Sequence, residues 1–156
     1  MQSILKLILT LLLGAWLGAT VFFSFVAAPA LFQLPRAQVI TKEQAGDIAA
    51  ALLKRYFICA VLVLILALIL SSLLAVATAR PPFTRCAVIV AIALLIHVFD
   101  GFVWAPKVHA IREQRRANPS AELDKQFGRA HGISFGLNFL MIVGTAWAFV
   151  VVARPE

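Results

Sequence analysis

Charged residues are absent from four long stretches of this chain. None lies between Leu7 and Pro35, between Tyr56 and Ala79, or between Gly132 and Ala153, and between Cys86 and Pro106 the one charge is Asp100. A helix needs roughly 20 apolar residues to cross the ~30 Å hydrocarbon core. Backbone in lipid must also satisfy its own hydrogen bonds, which a helix does. Four spanning helices follow, near residues 5–28, 57–79, 86–105 and 132–153. Composition agrees. The chain is 62% apolar and 13% charged, with a mean hydropathy of +0.95. Soluble domains run about 45–50% apolar and ~25% charged. A disordered chain, a collagen-like chain and a disulfide-rich secreted module are excluded. The expected fold is all-α, a four-helix integral membrane bundle forming a single transmembrane domain over 1–156.

The net charge is +7. In a soluble domain this would suggest nucleic acid. Here the basic residues sit between apolar runs, where they set orientation and meet anionic lipid head groups. Membrane lipids, not nucleic acid, are the expected partner. Four crossings put both termini on one side, side A, together with the turn Arg80–Arg85. Side B holds 29–56 and 106–131. Side A carries Lys6, Arg80, Arg85 and Arg154, whereas the other ten of the 14 Lys and Arg lie on side B. The positive-inside rule therefore makes side B cytoplasmic and the termini non-cytoplasmic, in a multi-pass protein of a cell membrane (bacterial inner or plasma membrane). Ala28-Pro29-Ala30 resembles a signal cleavage site. A signal's apolar region is only about 7–15 residues long, so a transmembrane helix is expected.

Side B has its own organisation. Thr41-Lys42-Glu43-Gln44 has the form of a capping box, and Ala45, Ile48, Ala49, Leu52, Leu53 and Tyr56 recur at helical spacing. An amphipathic helix over about 41–55 is expected, lying in the interface or packed on the bundle. Lys107–Arg116 extends the third span, Asn118-Pro119 breaks it, and Ser120 caps the next helix. Gly14-x-x-x-Gly18, Gly132-x-x-x-Gly136 and Gly144-x-x-x-Ala148 are small-residue patterns suited to close helix crossings. Pro29, Pro35 and Pro106 are expected to close or bend helices.

Cys59 and Cys86 start consecutive spans from opposite faces, so they cannot pair within the chain. Asp100 is the most informative residue. A carboxylate at a helix centre in the membrane costs roughly 2.5–3.5 kcal/mol and needs a partner. Its level offers His131, Arg129, Lys107 and Arg55. The expected arrangement joins Asp100 and His131 in a shared polar pocket, with Arg55 as the substitute partner. Asp100 either locks helices together or handles a ligand or proton. His97 shares its face but lies deeper than His131, which argues against a metal trio. A hydrogen-bonded structural histidine, with Asn138 at matching depth, is the expected reading. His109 lies among basic residues and is expected to be solvated.

Gly14-Ala15-Trp16, Phe25, Pro29, Leu31-Phe32, Leu34-Pro35-Arg36 and Tyr56-Phe57 resemble the first half of the transmembrane protein 205-like family. Pro106-Lys107, Phe127, Arg129-Ala130-His131-Gly132-Ile133-Ser134 and Asn138 resemble its second half. The resemblance covers about Gly14 to Asn138. It implies a four-helix membrane protein with its distinctive residues gathered at one face. Pro29, Arg36, His131 and Asn138 match the family's pattern, and Asp100 falls where a polar residue is usual, often Asn. His97 and His109 lie outside that pattern. The family is largely a domain of unknown function, so the resemblance brings no activity with it.

Two functions are expected in parallel. One is a polar site at the side B mouth, lined by Asp100, His131, Ser134 and Asn138 with Arg36 and Arg55 at the rim. It would bind or help translocate a small anion, a lipid head group or a metal complex, and transport would require a dimer or larger complex. The other is a structural or assembly subunit. A haem- or copper-binding redox protein is a remote third, because ligands at matched depth are missing. No nucleophile–base pair can be read from the spacing, so neither enzymatic activity nor a cofactor is expected.

Overall fold

The four apolar stretches form α1 (Gln2–Gln33), α2 (Lys42–Thr78), α3 (Pro81–Ala117) and α4 (Ala121–Ala153). The computed structural model describes residues 1–154, and no strand occurs among them. Each helix packs on the next in sequence, and α4 closes the ring against α1. The result is an up-down-up-down bundle with both ends of the described chain on side A. All four helices are long and apolar enough to cross a membrane, and only 22–33% of each one's most apolar window is buried. Leu11, Leu62, Leu73, Leu95 and Trp147 point outward. An apolar exterior around an apolar core is the arrangement a lipid solvent selects.

The core follows from helical spacing. Leu9, Leu13, Trp16 and Thr20 line the inner face of α1, and Ala60, Leu64, Ala67, Ser71 and Leu74 that of α2. Phe83, Cys86, Val90, Ala93 and His97 line α3, and Met141, Thr145, Ala148 and Val152 line α4. Gly14 lets α1 approach α4: a Cβ there would sit 3.1 Å from the Phe149 ring. The other proposed crossings differ. Gly18, Gly132 and Gly136 face open space, and Gly144 meets only Ile89, at 3.8 Å. Cys59 is exposed and Cys86 buried, and both are free thiols.

The helices run 32 to 37 residues, about 48–55 Å at 1.5 Å rise. They overrun the hydrocarbon mainly at side B, where α2 begins, α3 ends and α4 begins. The Thr41 hydroxyl accepts from the Gln44 N–H at 3.1 Å, and the Gln44 side chain accepts from the Thr41 N–H at 2.8 Å. The Glu43 carboxyl lies below its usual range, first through a hydrogen bond from its own backbone and then through one from Thr41. Segment 42–55 is the unbroken start of α2, not a separate interfacial helix. Ala45 is buried in it, while Ile48 and Leu52 are exposed.

Arg112 of α3 ties this overhang together. It donates to the Gly46 carbonyl at 2.8 Å and forms an ion pair with Asp47. Gly46 has no Cβ to obstruct it, since one would lie 2.9 Å from the Arg112 Cζ. Arg116 also reaches Asp47, at 3.6 Å, and Arg115 reaches Asp124 at 3.6 Å while lying 4.5 Å over the Phe127 ring. Ser120 caps α4 by accepting from the Leu123 N–H at 3.2 Å.

Of the three prolines expected to close or bend helices, one closes its helix. Pro35 does follow the end of α1, but Pro29 and Pro106 lie inside continuous helices. Each sits just after a five-residue π-helical turn, Phe23–Ala27 in α1 and Asp100–Trp104 in α3. A proline ring clashes with the carbonyl four residues back and offers that carbonyl no N–H. Those positions are Phe25 and Phe102, both within the π turns. The wider turn accommodates the ring without breaking the helix.

Candidate functional site

The two π turns flank a polar and aromatic layer at the side B end of the spans. Four backbone paths converge there: α1 at Trp16–Ser24, α2 at Tyr56–Phe57, α3 at His97–Asp100 and α4 at Ala130–Asn138. The Tyr56 hydroxyl donates to Thr20 Oγ1 at 3.2 Å, and Thr20 donates to the Trp16 carbonyl at 2.9 Å. Asn138 Nδ2 donates to Ser24 Oγ at 2.8 Å. Trp104 Nε1 donates to the Ala130 carbonyl at 3.1 Å. These bonds join α1 to α2, α4 to α1 and α3 to α4. In lipid each removes a polar group that would otherwise be costly.

Aromatic packing joins α2 to α3. His97 is 3% exposed. Its ring lies 5.3 Å from Phe57, 5.6 Å from Tyr56 and 6.0 Å from Trp16. Tyr56 stacks between Trp16 and Phe23, at 5.2 Å from each. Gly101 permits this approach, because a Cβ there would lie 2.9 Å from Phe57 Cγ. His97 Nε2 is buried with no hydrogen-bond partner. The expectation of a hydrogen-bonded histidine matched to Asn138 is therefore corrected. The rings fill the space a partner would need, and Asn138 turns to α1.

Asp100 is 7% exposed. Its one hydrogen bond among the described residues comes from Ser134, at 3.4 Å to Oδ1. That is long for an O–H···O bond, which prefers 2.5–3.0 Å. No ion pair reaches it among those residues. The expected Asp100–His131 pairing is absent: His131 is exposed and stacks on Phe127 one turn away, at 5.8 Å. Arg36 and Arg55 are exposed as well, so Arg55 does not take over as partner. Of the six residues expected at the site, the fold brings Asp100 to Ser134 and places Asn138 in the same layer through Ser24. His131 is exposed, with its ring against that of Phe127, itself under Arg115 of α3. His109 is exposed, as its basic surroundings suggest.

Sequence reasoning missed Thr20, Ser24 and Tyr56 as members of the layer and underrated His97. A signal was present: Thr20 and Ser24 are polar, four residues apart, inside an otherwise apolar run. That spacing puts both on one face. Chemically, the layer holds one buried acid, one imidazole nitrogen without a partner, four hydroxyls and an amide. Among the described residues no three His, Cys, Asp or Glu side chains form a metal-binding group.

No curated protein and no solved structure matches this chain. A family model does, over residues 11–117, which take in α1 from Leu11 onward, all of α2 and α3, and both π turns. The match spans more than half of the chain, and the protein belongs to the domain of unknown function family DUF4149.

Proposed function

We propose that this integral membrane protein binds, or helps translocate, a small polar ligand at the layer around Asp100, without enzymatic chemistry of its own. The observation that carries this reading is the incompleteness of the layer. Among the described residues, a carboxylate 7% exposed has one long hydrogen bond and no cation, although intramembrane acids generally have a partner. In this reading side B faces the cytoplasm and the termini lie outside, in a cell membrane. Lipids surround the bundle, and a second copy completes any translocation path, since four helices make a thin wall. The likeness to the transmembrane protein 205-like family enters as architecture and supplies no substrate.

A structural or assembly role has its own support in the interhelix bonds Tyr56–Thr20, Asn138–Ser24 and Trp104–Ala130. Thermal unfolding in micelles separates the two. Ammonium, phosphate, acetate and amide solutes are added to the wild type and to Asp100→Asn. Under the binding reading at least one solute raises the wild-type midpoint more than the variant's. Under the structural reading no solute discriminates, and Asp100→Asn itself melts earlier.

A further inference from the structure

The outer seam between α3 and α4 carries two features that the layer around Asp100 does not use. The first is apolar. A groove of about 100 Å³ lies between the helices, walled by Ile89, Ile92 and Ile96 of α3 and by Leu140, Met141 and Gly144 of α4. Gly144 puts no side chain into it, and an added Cβ would meet only Ile89. Ile92 is 54% and Leu140 58% exposed, so the groove opens outward, toward lipid. The second feature is basic. Trp104 Nε1 bonds to the Ala130 carbonyl and so fixes the level at which α3 and α4 meet. Lys107 Nζ lies 5.9 Å over the Trp104 ring, and Arg129 precedes Ala130 on α4. Arg129 and Leu140 are eleven residues apart, about three helical turns, so they share a face. Both cations are exposed, and among the described residues no ion pair reaches either. The nearby acids are turned elsewhere: Asp100 to Ser134, Asp124 to Arg115, and Glu122 to Gln126.

Depth joins the two features. Ile96 and Lys107, like Leu140 and Arg129, are eleven residues apart, which is about 16 Å of helix. Half of the hydrocarbon core is ~15 Å. Tryptophan and lysine commonly anchor a span at the head-group level. With Trp104 and the two cations there, the groove lies where the acyl chains of the side B leaflet end. We infer that this seam binds one anionic phospholipid of that leaflet. Its phosphate sits between Lys107 and Arg129, and an acyl chain runs past Trp104 into the groove at Gly144. Two cations without an acid attract a net negative head, whereas a zwitterionic head brings a cation of its own against them. Free phosphate would leave the groove empty. A second copy docked side by side would press the same two cations against these. The site is separate from the layer around Asp100, which faces the bundle.

The test is native mass spectrometry of the full chain, released from micelles titrated with lipid. One dioleoyl phosphatidylglycerol per chain should be retained, saturably, at concentrations where dioleoyl phosphatidylcholine is not. Dihexanoyl phosphatidylglycerol, too short to reach the groove, should bind severalfold more weakly. Lys107→Gln with Arg129→Gln should weaken the dioleoyl lipid roughly thirtyfold. Lys42→Gln with Lys54→Gln removes equal charge from α2 and should leave the affinity nearly unchanged, since screening confines such effects to close charges. Gly144→Leu fills the groove and should lower the dioleoyl affinity toward the dihexanoyl one. The head-group and chain-length series on the wild type decides even where a variant fails to fold. Equal retention of phosphatidylcholine, or equal loss in the two double variants, overturns the inference. So does a dihexanoyl lipid that binds as tightly as the dioleoyl one, or a lipid-free dimer.

Discussion

Gly101→Ala isolates the contact on which the layer's geometry depends. The added methyl would lie 2.9 Å from Phe57 Cγ, 3.0 Å from Cδ1 and 3.2 Å from Cβ. These atoms are the root of the ring and cannot swing aside like a side-chain tip. Phe57 is only 9% exposed, and it is hemmed in by His97 at 5.3 Å and Tyr56 at 5.9 Å. Overpacking of this kind costs about 1–3 kcal/mol, and replacing glycine within a helix returns up to ~1 kcal/mol. The steric term wins, and a net loss of about 1–2 kcal/mol is expected. The assay is unfolding in mixed micelles by denaturing detergent, followed by circular dichroism. Gly132→Ala is the control, since nothing lies within 4 Å of its Cβ; it should be neutral or slightly stabilising. The double variant Gly101→Ala/Phe57→Leu should recover part of the loss, because contacting residues couple by about 0.5–3 kcal/mol. If Gly101→Ala proves as stable as Gly132→Ala, or the double variant is simply additive, the close approach of α2 and α3 at this level is wrong.

Arg112→Gln should cost about 1–3 kcal/mol by leaving Asp47 and the Gly46 carbonyl without their donor; amide exchange should quicken in 42–50 and stay unchanged in the spans. Thr41→Ala removes the capping box and should cost ~1 kcal/mol, seen as faster exchange confined to the first turn of α2. A lipid-permeant maleimide should label Cys59 in the folded protein and spare Cys86 until unfolding, as their exposures require. Deleting Val103 alone should break α3 near Pro106, because the proline would then face an ordinary α-helical carbonyl; the same deletion with Pro106→Ala should recover helical content by circular dichroism but leave Arg112 turned off Gly46 and Asp47, seen as faster amide exchange over 42–50.

The helices were legible because charge exclusion acts on whole segments. Four uncharged runs allow few alternatives in lipid, and Thr41 and Ser120 mark helix starts by a local chemistry that needs no tertiary knowledge. Depth along a span is readable by counting residues, and Ser134 does reach Asp100 across the helices. Azimuth is not. Rotation about α4 decides whether His131 meets Asp100, and His131 is exposed. The glycine patterns failed for the same reason: Gly132 and Gly136 sit on the lipid face, while Gly14 alone of its pair meets a neighbouring helix. His97 was misjudged because its surroundings come from three other segments, and no local pattern brings Trp16, Tyr56 and Phe57 together around it.

The π turns explain how a membrane bundle and a polar overhang are built from one helix. Along α3 the buried residues step from Phe83 to Cys86, Val90, Ala93, His97 and Asp100, alternating three and four. That rhythm keeps a stripe facing the neighbouring helices. Beyond Asp100 the inward residues are Trp104, bonded to α4, and then partly buried Val108 and Arg112, each a step of four. Repeated steps of four would drift off the stripe in an α-helix, because two of them exceed two turns of 3.6 residues. A single wider turn absorbs the excess residue. It thereby delivers Arg112 to Gly46 and Asp47 on the same side of the bundle that His97 faces. The extra residue in α3 falls at Asp100–Trp104, four residues ahead of Pro106 on average, and the proline fixes it there by excluding the regular turn. In α1 the Pro29 turn at Phe23–Ala27 does the same at matching depth. In α1 and α3, Thr20 and His97 thus sit on the last regular turn, and Ser24 and Asp100 lie within the wider turn that proline imposes.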